Sequence, residues 1–570
     1  MENVIVKLEN VSVHYNQQKE KYPAVNAVNL KLIQGDSLGI IGESGSGKTS
    51  LAMALMGLLN KPTQVEGKIF YKDMDLNSLK EKEKNRFRWN KIAIVFQNSL
   101  EVLNPVLTIY EQILECIFRH THLTTEEANK KVLQLLTLVG LSPTWRGYYP
   151  HQLSGGMRQR VLIAMALSCD PEVLIVDEPT TALDALSKKE IIALLLTLQT
   201  QKKFSMIVIS HEMHTIASLT SKMAVMYAGN IVEMGFTKEI LKHPMHTYTR
   251  GLIYASPEMN PYRDLWGIPG EAGQIYERHC PFYARCSQKV DICKTNIPKL
   301  SYVAIERKVA CNRGGITTLL NAKDICKQYI FKGQKIIACN DCKIHVRTGE
   351  VVALIGESGS GKTTLASVLS GCLASDRGEV IFEGEKVQGN SATSRKHGVQ
   401  IVFQDPFSAV NEHLTIEQAI REPLDIIKLE TKEQRHISVL QALKDLQLPI
   451  SDGFLQRKCY MLSGGQRQRV ALARSLVMAP KLLIADEISA MLDPSTQANI
   501  LRLLKGLQNE RGFAMLYITH DLALVKKIAD RVYVMHEGNI IENGTAMEVF
   551  RFPKARYTRM LVGKMKQENG

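Results

Sequence analysis

No stretch of this 570-residue chain approaches the ~20 consecutive apolar residues that a membrane-spanning helix needs. The segment Met1 to Lys7 also lacks the basic-then-apolar pattern of a secretory signal. These two absences predict a cytoplasmic protein that reaches a membrane only through a partner. Blocks of like charge are missing too. Net charge is +14, from 71 Lys and Arg against 57 Asp and Glu, yet the basic residues are dispersed and runs such as Lys80-Glu81-Lys82-Glu83-Lys84 alternate in sign. Alternation of this kind reads as a solvated helix face, and it favours solubility or an anionic membrane surface over nucleic acid. With 45% hydrophobic and 22% charged residues the composition is that of a soluble globular protein, too long for one core. The 11 cysteines, with no secretory pattern beside them, argue for metal ligation or core packing before disulfides.

What is present is a loop that occurs twice. Gly42-Glu43-Ser44-Gly45-Ser46-Gly47-Lys48-Thr49 returns unchanged as Gly356-Glu357-Ser358-Gly359-Ser360-Gly361-Lys362-Thr363. Each copy follows an apolar run and precedes a helical pattern, which is the strand, glycine loop and helix context of a phosphate-binding loop. The glycines let backbone N–H groups wrap phosphate oxygens at a helix N-terminus. Lys48 and Lys362 supply charge to the outer phosphates, and Thr49 and Thr363 offer hydroxyls to Mg²⁺. Two sites for a nucleoside triphosphate are expected.

The repetition extends far beyond the loops. Lys362 follows Lys48 by 314 residues, as Tyr329 follows Tyr15, while Ser463, Glu487 and His520 follow Ser154, Glu178 and His211 by 309. A whole domain is therefore duplicated, with a small deletion inside. The expected domains are 1–255 and 317–570, joined by 256–316, the only large piece without a counterpart. Each copy has a short antiparallel start and then a strand ending in glutamine (Gln97, Gln404). In the first copy, apolar residues follow at helical spacing (Ile109, Ile113, Ile117, Val132, Leu135, Leu136, Val139). Each copy then has Leu-Ser-Gly-Gly opening a further helix at Ser154-Gly155-Gly156 and Ser463-Gly464-Gly465. Next come aliphatic strands that stop abruptly at Asp177-Glu178 and Asp486-Glu487. Paired carboxylates at the end of a buried strand are costly as packing, and a metal ion with a polarised water offsets that cost. A last strand ends in Ser210-His211 or Thr519-His520, a histidine whose recurrence points to function.

This set of motifs resembles the ATP-binding cassette (ABC) ATPases over nearly all of both halves, and the Leu-Ser-Gly-Gly signature is specific to them. The resemblance implies an α/β fold of two phosphate-loop domains. Each would have a mostly parallel sheet core with an antiparallel edge and a helical subdomain carrying the signature. It implies head-to-tail pairing within one chain, so that one ATP lies between the Lys48 loop and Ser463, Gly464 and Gly465. The other would lie between the Lys362 loop and Ser154, Gly155 and Gly156. Tyr15 and Tyr329 would stack on adenine, and Ser50 and Thr364 would complete the nucleotide-binding loops. Thr49 with Gln97, and Thr363 with Gln404, would hold Mg²⁺, with Asp177 and Asp486 behind. Glu178 and Glu487 would act on the attacking water, and His211 and His520 would contact the γ-phosphate. Both sites retain these groups, so both are expected to hydrolyse ATP, although Ile488-Ser489-Ala490-Met491 replaces Pro179-Thr180-Thr181-Ala182 in the second half and implies unequal turnover.

The joining segment contains Cys280, Cys286, Cys293 and Cys311, preceded by His243-Pro244-Met245-His246-Thr247-Tyr248. It resembles the C-terminal extension of ATPases that drive oligopeptide, dipeptide and nickel importers. That resemblance implies two membrane permease subunits and an extracellular binding protein as partners, a place on the cytoplasmic membrane face and no nucleic acid. For the four cysteines it favours a [4Fe–4S] cluster, with zinc or plain packing as alternatives. Cys339-x-x-Cys342, aligned with Val25 and Val28, reads as alternate apolar packing. Two other readings stand beside the importer: a soluble tandem cassette acting on ribosomes or DNA, and an exporter ATPase.

Overall fold

A five-residue apolar strand is buried throughout only where both faces of its sheet are covered. Ser37–Ile41 and Val351–Ile355 are buried at every position. A computed structural model describes residues 3–17, 20–60, 62–97, 102–261, 263–271, 279–331, 333–391, 395–405, 409–428, 430–488 and 493–568. They fold as two compact units, the first from the described residues of 1–259, 270–285 and 290–315, the second from those of 260–269, 286–289 and 316–570. The segment Ser489–Leu492, where the second half departs from the first, lies outside the described residues.

In the first unit β1 (Val4–Gln17), β2 (Glu20–Ile33), β3 (Ser37–Ile41), β4 (Gln64–Tyr71) and β5 (Met74–Asp75) lead the chain. The order β2-β1-β4-β5 makes an antiparallel sheet. Then follow β6 (Ile92–Val95), β7 (Val173–Asp177), β8 (Ser205–Ser210), β9 (Lys222–Tyr227), β10 (Asn230–Phe236), β11 (Leu300–Ala304) and β12 (Arg307–Ala310). These join β3 in the order β11-β12-β10-β9-β3-β8-β7-β6, with β9, β3, β8, β7 and β6 parallel. The second unit repeats the plan with β13 (Thr318–Phe331), β14 (Gln334–Arg347), β15 (Val351–Ile355), β16 (Arg377–Phe382) and β17 (Glu385–Lys386). Its remaining strands are β18 (Val399–Val402), β19 (Leu482–Asp486), β20 (Ala514–Thr519), β21 (Arg531–His536) and β22 (Asn539–Thr545). The main sheet there runs β18-β19-β20-β15-β21-β22. The expected architecture, a mainly parallel core with an antiparallel companion sheet, is what forms.

Strand periodicity divides the core into layers. Val351, Ala353 and Ile355 of β15 face a core shared with Ile420, Leu443 and Val470 of the helices, whereas Val352 and Leu354 face Leu320, Ile325 and Ile344 of the antiparallel sheet. Cys339 and Cys342 are fully buried in this second layer, as packing predicts, and the Cys342 thiol reaches the Gly538 carbonyl at 3.2 Å. The helical segment read from spacing forms as Ile109–His120 and Thr125–Leu138, with Ile109, Ile113, Ile117, Val132, Leu135 and Leu136 buried. Both helices start at capping boxes, Thr108 with Glu111 and Thr124 with Glu127, which satisfy N–H groups the first turn cannot.

The joining segment holds a feature that sequence reading did not anticipate. Its hairpin, β11 and β12, extends the first main sheet by pairing with β10. The attachment is ionic as well as by strand pairing. Glu233 of β10, fully buried, accepts a 2.6 Å hydrogen bond from Arg307 of β12, which also donates to the His243 carbonyl at 2.9 Å. The same carboxylate takes the N–H groups of Met245 and His246 at 2.8 and 3.0 Å. By contrast, residues 260–269 pack on the second unit. Arg263 there pairs with Asp530, and Asn509 donates to the Gly267 carbonyl at 2.9 Å.

Because Arg307 neutralises a carboxylate with no access to water, Arg307→Ala is expected to destabilise the hairpin by about 3–5 kcal/mol. Hydrogen exchange over residues 300–310 checks this.

Candidate functional site

Two left-handed glycines shape each phosphate loop. Gly45 and Gly47 have φ of 78° and 99°, Gly359 and Gly361 83° and 103°. A Cβ on Gly47 would lie 2.2 Å from the Ala24 carbonyl and one on Gly361 2.0 Å from that of Ala338, so no side chain fits. Each second glycine caps its helix, Lys48–Met56 or Lys362–Ser370, without a side-chain hydrogen bond, leaving the first-turn N–H groups for an anion. Lys48 Nζ lies inside its loop, 2.9 Å from the carbonyls of both Gly42 and Glu43. Lys362 does the same with Gly356 and Glu357 at 3.0 and 2.8 Å. Burial pulls the Lys48 ammonium below its ordinary pKa, while Glu178, Asp177 and Glu43 hold it up; Lys362 is lowered likewise against Glu487 and Asp486.

The strand-end acids meet these loops because parallel strands bring their carboxyl ends to one edge of the sheet. Asp177 is buried and its pKa is pushed up to about 6 by that burial, with the Thr49 hydroxyl acting in the opposite direction. Asp486 is raised for the same reason beside Thr363. Asp177 Oδ1 and both carboxylate oxygens of Asp486 are buried without a hydrogen-bond partner. Such oxygens beside a threonine hydroxyl suit a hard divalent cation, so the residues fit Mg²⁺. Gln97 and Gln404 stand exposed just beyond the ends of β6 and β18.

Glu178 and Glu487 turn the chain at left-handed φ of 52° and 45°. This conformation costs a non-glycine residue of order 1–3 kcal/mol and persists where the surroundings over-determine it. In the first unit they do. His211 meets Glu178 Oε1 through its backbone N–H at 3.1 Å and through Nδ1 at 2.8 Å, while the Thr181 hydroxyl donates to Oε2 at 2.9 Å. In the second unit His520 Nδ1 stands 3.4 Å from Glu487 Oε1 and is the more exposed histidine, 61% against 47%. Among the described residues the second acid is held more loosely.

Other expected residues fall as follows. The Tyr15 hydroxyl lies 3.0 Å from Ser50 Oγ, beside the loop, and Tyr329 is 42% exposed on β13. Ser154 caps the helix Gly155–Ala166 and Ser463 caps Gly464–Leu476. Gln466 completes a capping box with Ser463, whereas Met157 has no group to return that bond. A correction concerns the cysteines. Among the described residues no three His, Cys, Asp or Glu side chains lie where they could hold one metal ion. Cys280, Cys293 and Cys311 belong to the first unit and Cys286 to the second, and Cys280 and Cys293 are buried, with the Cys280 N–H bonded to the Cys293 carbonyl at 3.0 Å. Among the described residues the four thiols assemble no iron–sulfur or zinc site.

Two tyrosines escaped the sequence reading of the sites. Tyr248 accepts the N–H of Glu43 at 2.8 Å, and Tyr557 that of Glu357 at 3.2 Å. Each follows an acid that fixes the preceding turn, Glu233 as above and Glu542 through the N–H groups of Lys554 and Ala555 at 2.8 and 2.9 Å. The signal was the repeated Tyr-Thr-Arg of the two tails.

Comparison with known proteins agrees with this geometry. The profile of the ABC transporter family matches residues 25–181 and 339–490, more than half of the chain. The chain belongs to the ABC transporter family. It is an ATP-hydrolysing, energy-coupling subunit of an importer, and residues 232–293 match the C-terminal region of oligopeptide/dipeptide transporters. It is 33% identical to the glutathione import ATP-binding protein GsiA of Pectobacterium atrosepticum over 98% of its own length and 89% of that protein's. It is 34% identical to the GsiA of Escherichia coli K12 over the same shares. Among solved structures, a dimeric ATP-binding cassette in a post-hydrolysis state with ADP and Pi is 31% identical, covering 41% of this chain and 98% of that one at a TM-score of 0.38.

His246 separates the two ABC tails. Its Nδ1 accepts the N–H of Tyr248 at 3.1 Å and caps Thr247–Ala255, and full burial lowers its pKa to about 4. Below the ordinary value of 6.5 the unfolded imidazole takes up a proton that the native one refuses, so stability is complete above that value and is lost as pH falls toward 4. Hydrogen exchange of residues 247–255 should quicken between about pH 7 and pH 5, corrected for intrinsic rates, and His246→Asn should flatten that dependence.

Proposed function

We propose that this importer ATPase, with cassettes 1–255 and 317–570, drives uptake of short peptides, glutathione among them, beneath two permease subunits fed by an extracellular binding protein. One observation carries the choice of cargo class: the match to the oligopeptide/dipeptide transporter region at 232–293, within a chain alignable to glutathione import proteins over 98% of its length. No helix of the described residues is long and apolar enough to cross a membrane, which suits a subunit bound peripherally at the cytoplasmic face. The same match favours import over export, and no observation favours a role on ribosomes or DNA.

The reaction is ATP hydrolysis at two composite sites. The Lys48 loop works with Ser463, Gly464 and Gly465, the Lys362 loop with Ser154, Gly155 and Gly156. In each, loop N–H groups and the lysine cradle the β- and γ-phosphates. Thr49 and Gln97, or Thr363 and Gln404, would hold Mg²⁺ with Asp177 or Asp486 behind, and the ion would supply positive charge beside the phosphates. Glu178 or Glu487 accepts a proton from, or orients, the attacking water, and His211 or His520 steadies that carboxylate and reaches toward the γ-phosphate. Tyr15 and Tyr329 stack on adenine. The tighter hold on Glu178 supports faster turnover at the first site.

Glu178→Gln with Glu487→Gln is expected to leave ATP binding intact and lower turnover by about 10²–10³-fold or more. ATPase assays of the chain with its permeases check this, and undiminished turnover would remove both residues from the role. Of the single variants, Glu178→Gln should cost more. Glutathione uptake into proteoliposomes holding the assembled importer tests the cargo; uptake of other short peptides but not glutathione would narrow the class differently.

A further inference from the structure

One residue of the joining segment reaches the first phosphate loop. Arg285 donates two hydrogen bonds to the Glu43 carboxylate, Nη1 to Oε2 at 2.8 Å and Nη2 to Oε1 at 2.9 Å. Its side chain is 4% exposed and lies over the rings of Tyr227 and Phe282, 5.7 and 5.9 Å from their centroids. Tyr248 packs against both rings and takes the Glu43 N–H. The second residue of the loop is thus gripped at backbone and carboxylate by groups from outside it, a fork-on-fork pair that fixes direction as well as charge.

The second loop supplies the comparison. Tyr557 takes the N–H of Glu357, and His536, at the repeat position of Tyr227, stacks on Tyr557 at 3.9 Å. The Glu357 side chain is exposed, and among the described residues no cation pairs with its carboxylate. A carboxylate beside a polyphosphate cradle repels its ligand unless it is neutralised or turned away. Glu43 is part of the field at the Lys48 ammonium, whereas Glu357 is not among the groups acting on Lys362.

We propose that Arg285 is a positioning residue for the first ATP site, holding the Glu43 charge off the triphosphate and setting the affinity of that site apart from the second. The proposal rests on the reading that Gly42–Thr49 binds ATP. It makes the peptide-transporter segment a part of one nucleotide site and not of the other.

The test is equilibrium binding of a fluorescent ATP analogue, trinitrophenyl-ATP, to the full chain in two backgrounds. Lys362→Ala leaves the first loop working, Lys48→Ala the second. Arg285→Ala is expected to weaken binding about tenfold in the Lys362→Ala chain. In the Lys48→Ala chain binding should stay unchanged, which also reports that the variant is folded. Arg285→Lys should lose less than Arg285→Ala. Adding Glu43→Gln to Arg285→Ala should restore binding, because no charge then remains to be held. Equal weakening in both backgrounds, no weakening, or no restoration by Glu43→Gln overturns the proposal. A Lys362→Ala chain that binds no analogue even with Arg285 present overturns the reading of the loop, and the proposal with it.

Discussion

A buried ammonium facing buried carboxylates is the arrangement on which the rest of each unit depends. Lys48 and Lys362 are nearly without solvent, as are Asp177, Glu178 and Asp486. Any one of these charges buried alone would cost several kcal/mol, and only mutual proximity makes the set tolerable. Proximity in turn demands the fold. The lysine begins a helix, the acids end β7 or β19, and the histidine follows β8 or β20, segments far apart in sequence. A parallel sheet with both faces covered is the scaffold that aligns such ends, and the fully buried strands β3 and β15 are the price of that alignment.

Duplication reproduces the scaffold faithfully and its attachments unevenly. Glu233 and Glu542 close the same turn in both halves, and Tyr248 and Tyr557 take the same loop N–H. Around these fixed points the chemistry diverges. The first half has His246 as a cap, Arg307 on Glu233 and a three-contact hold on Glu178; the second has a capping box at its signature helix and a more exposed histidine. Among the described residues the shared groups are held with different firmness.

Much of this was legible beforehand. The glycine loops, the strands ending in Asp-Glu and the helices with apolar spacing all form where pattern placed them, because local sterics and burial periodicity act over a few residues. The β11–β12 hairpin was not legible, since β11 is half-exposed and its alternation faint. The cysteines pointed to a metal that the described residues do not assemble, because spacing along a chain does not fix where each thiol lies in space.

The sequence by itself determined the family, the duplication and both glycine loops, for these are written as contiguous motifs whose backbone conformation favours glycine. Tertiary structure alone decided which residues stand behind them. Arg285 on Glu43, Tyr248 on the loop and Arg307 on Glu233 are contacts across as many as 242 positions, made by side chains whose type is unremarkable until burial fixes their partners. Long-range pairing of charge follows from three-dimensional packing, and no local pattern carries it.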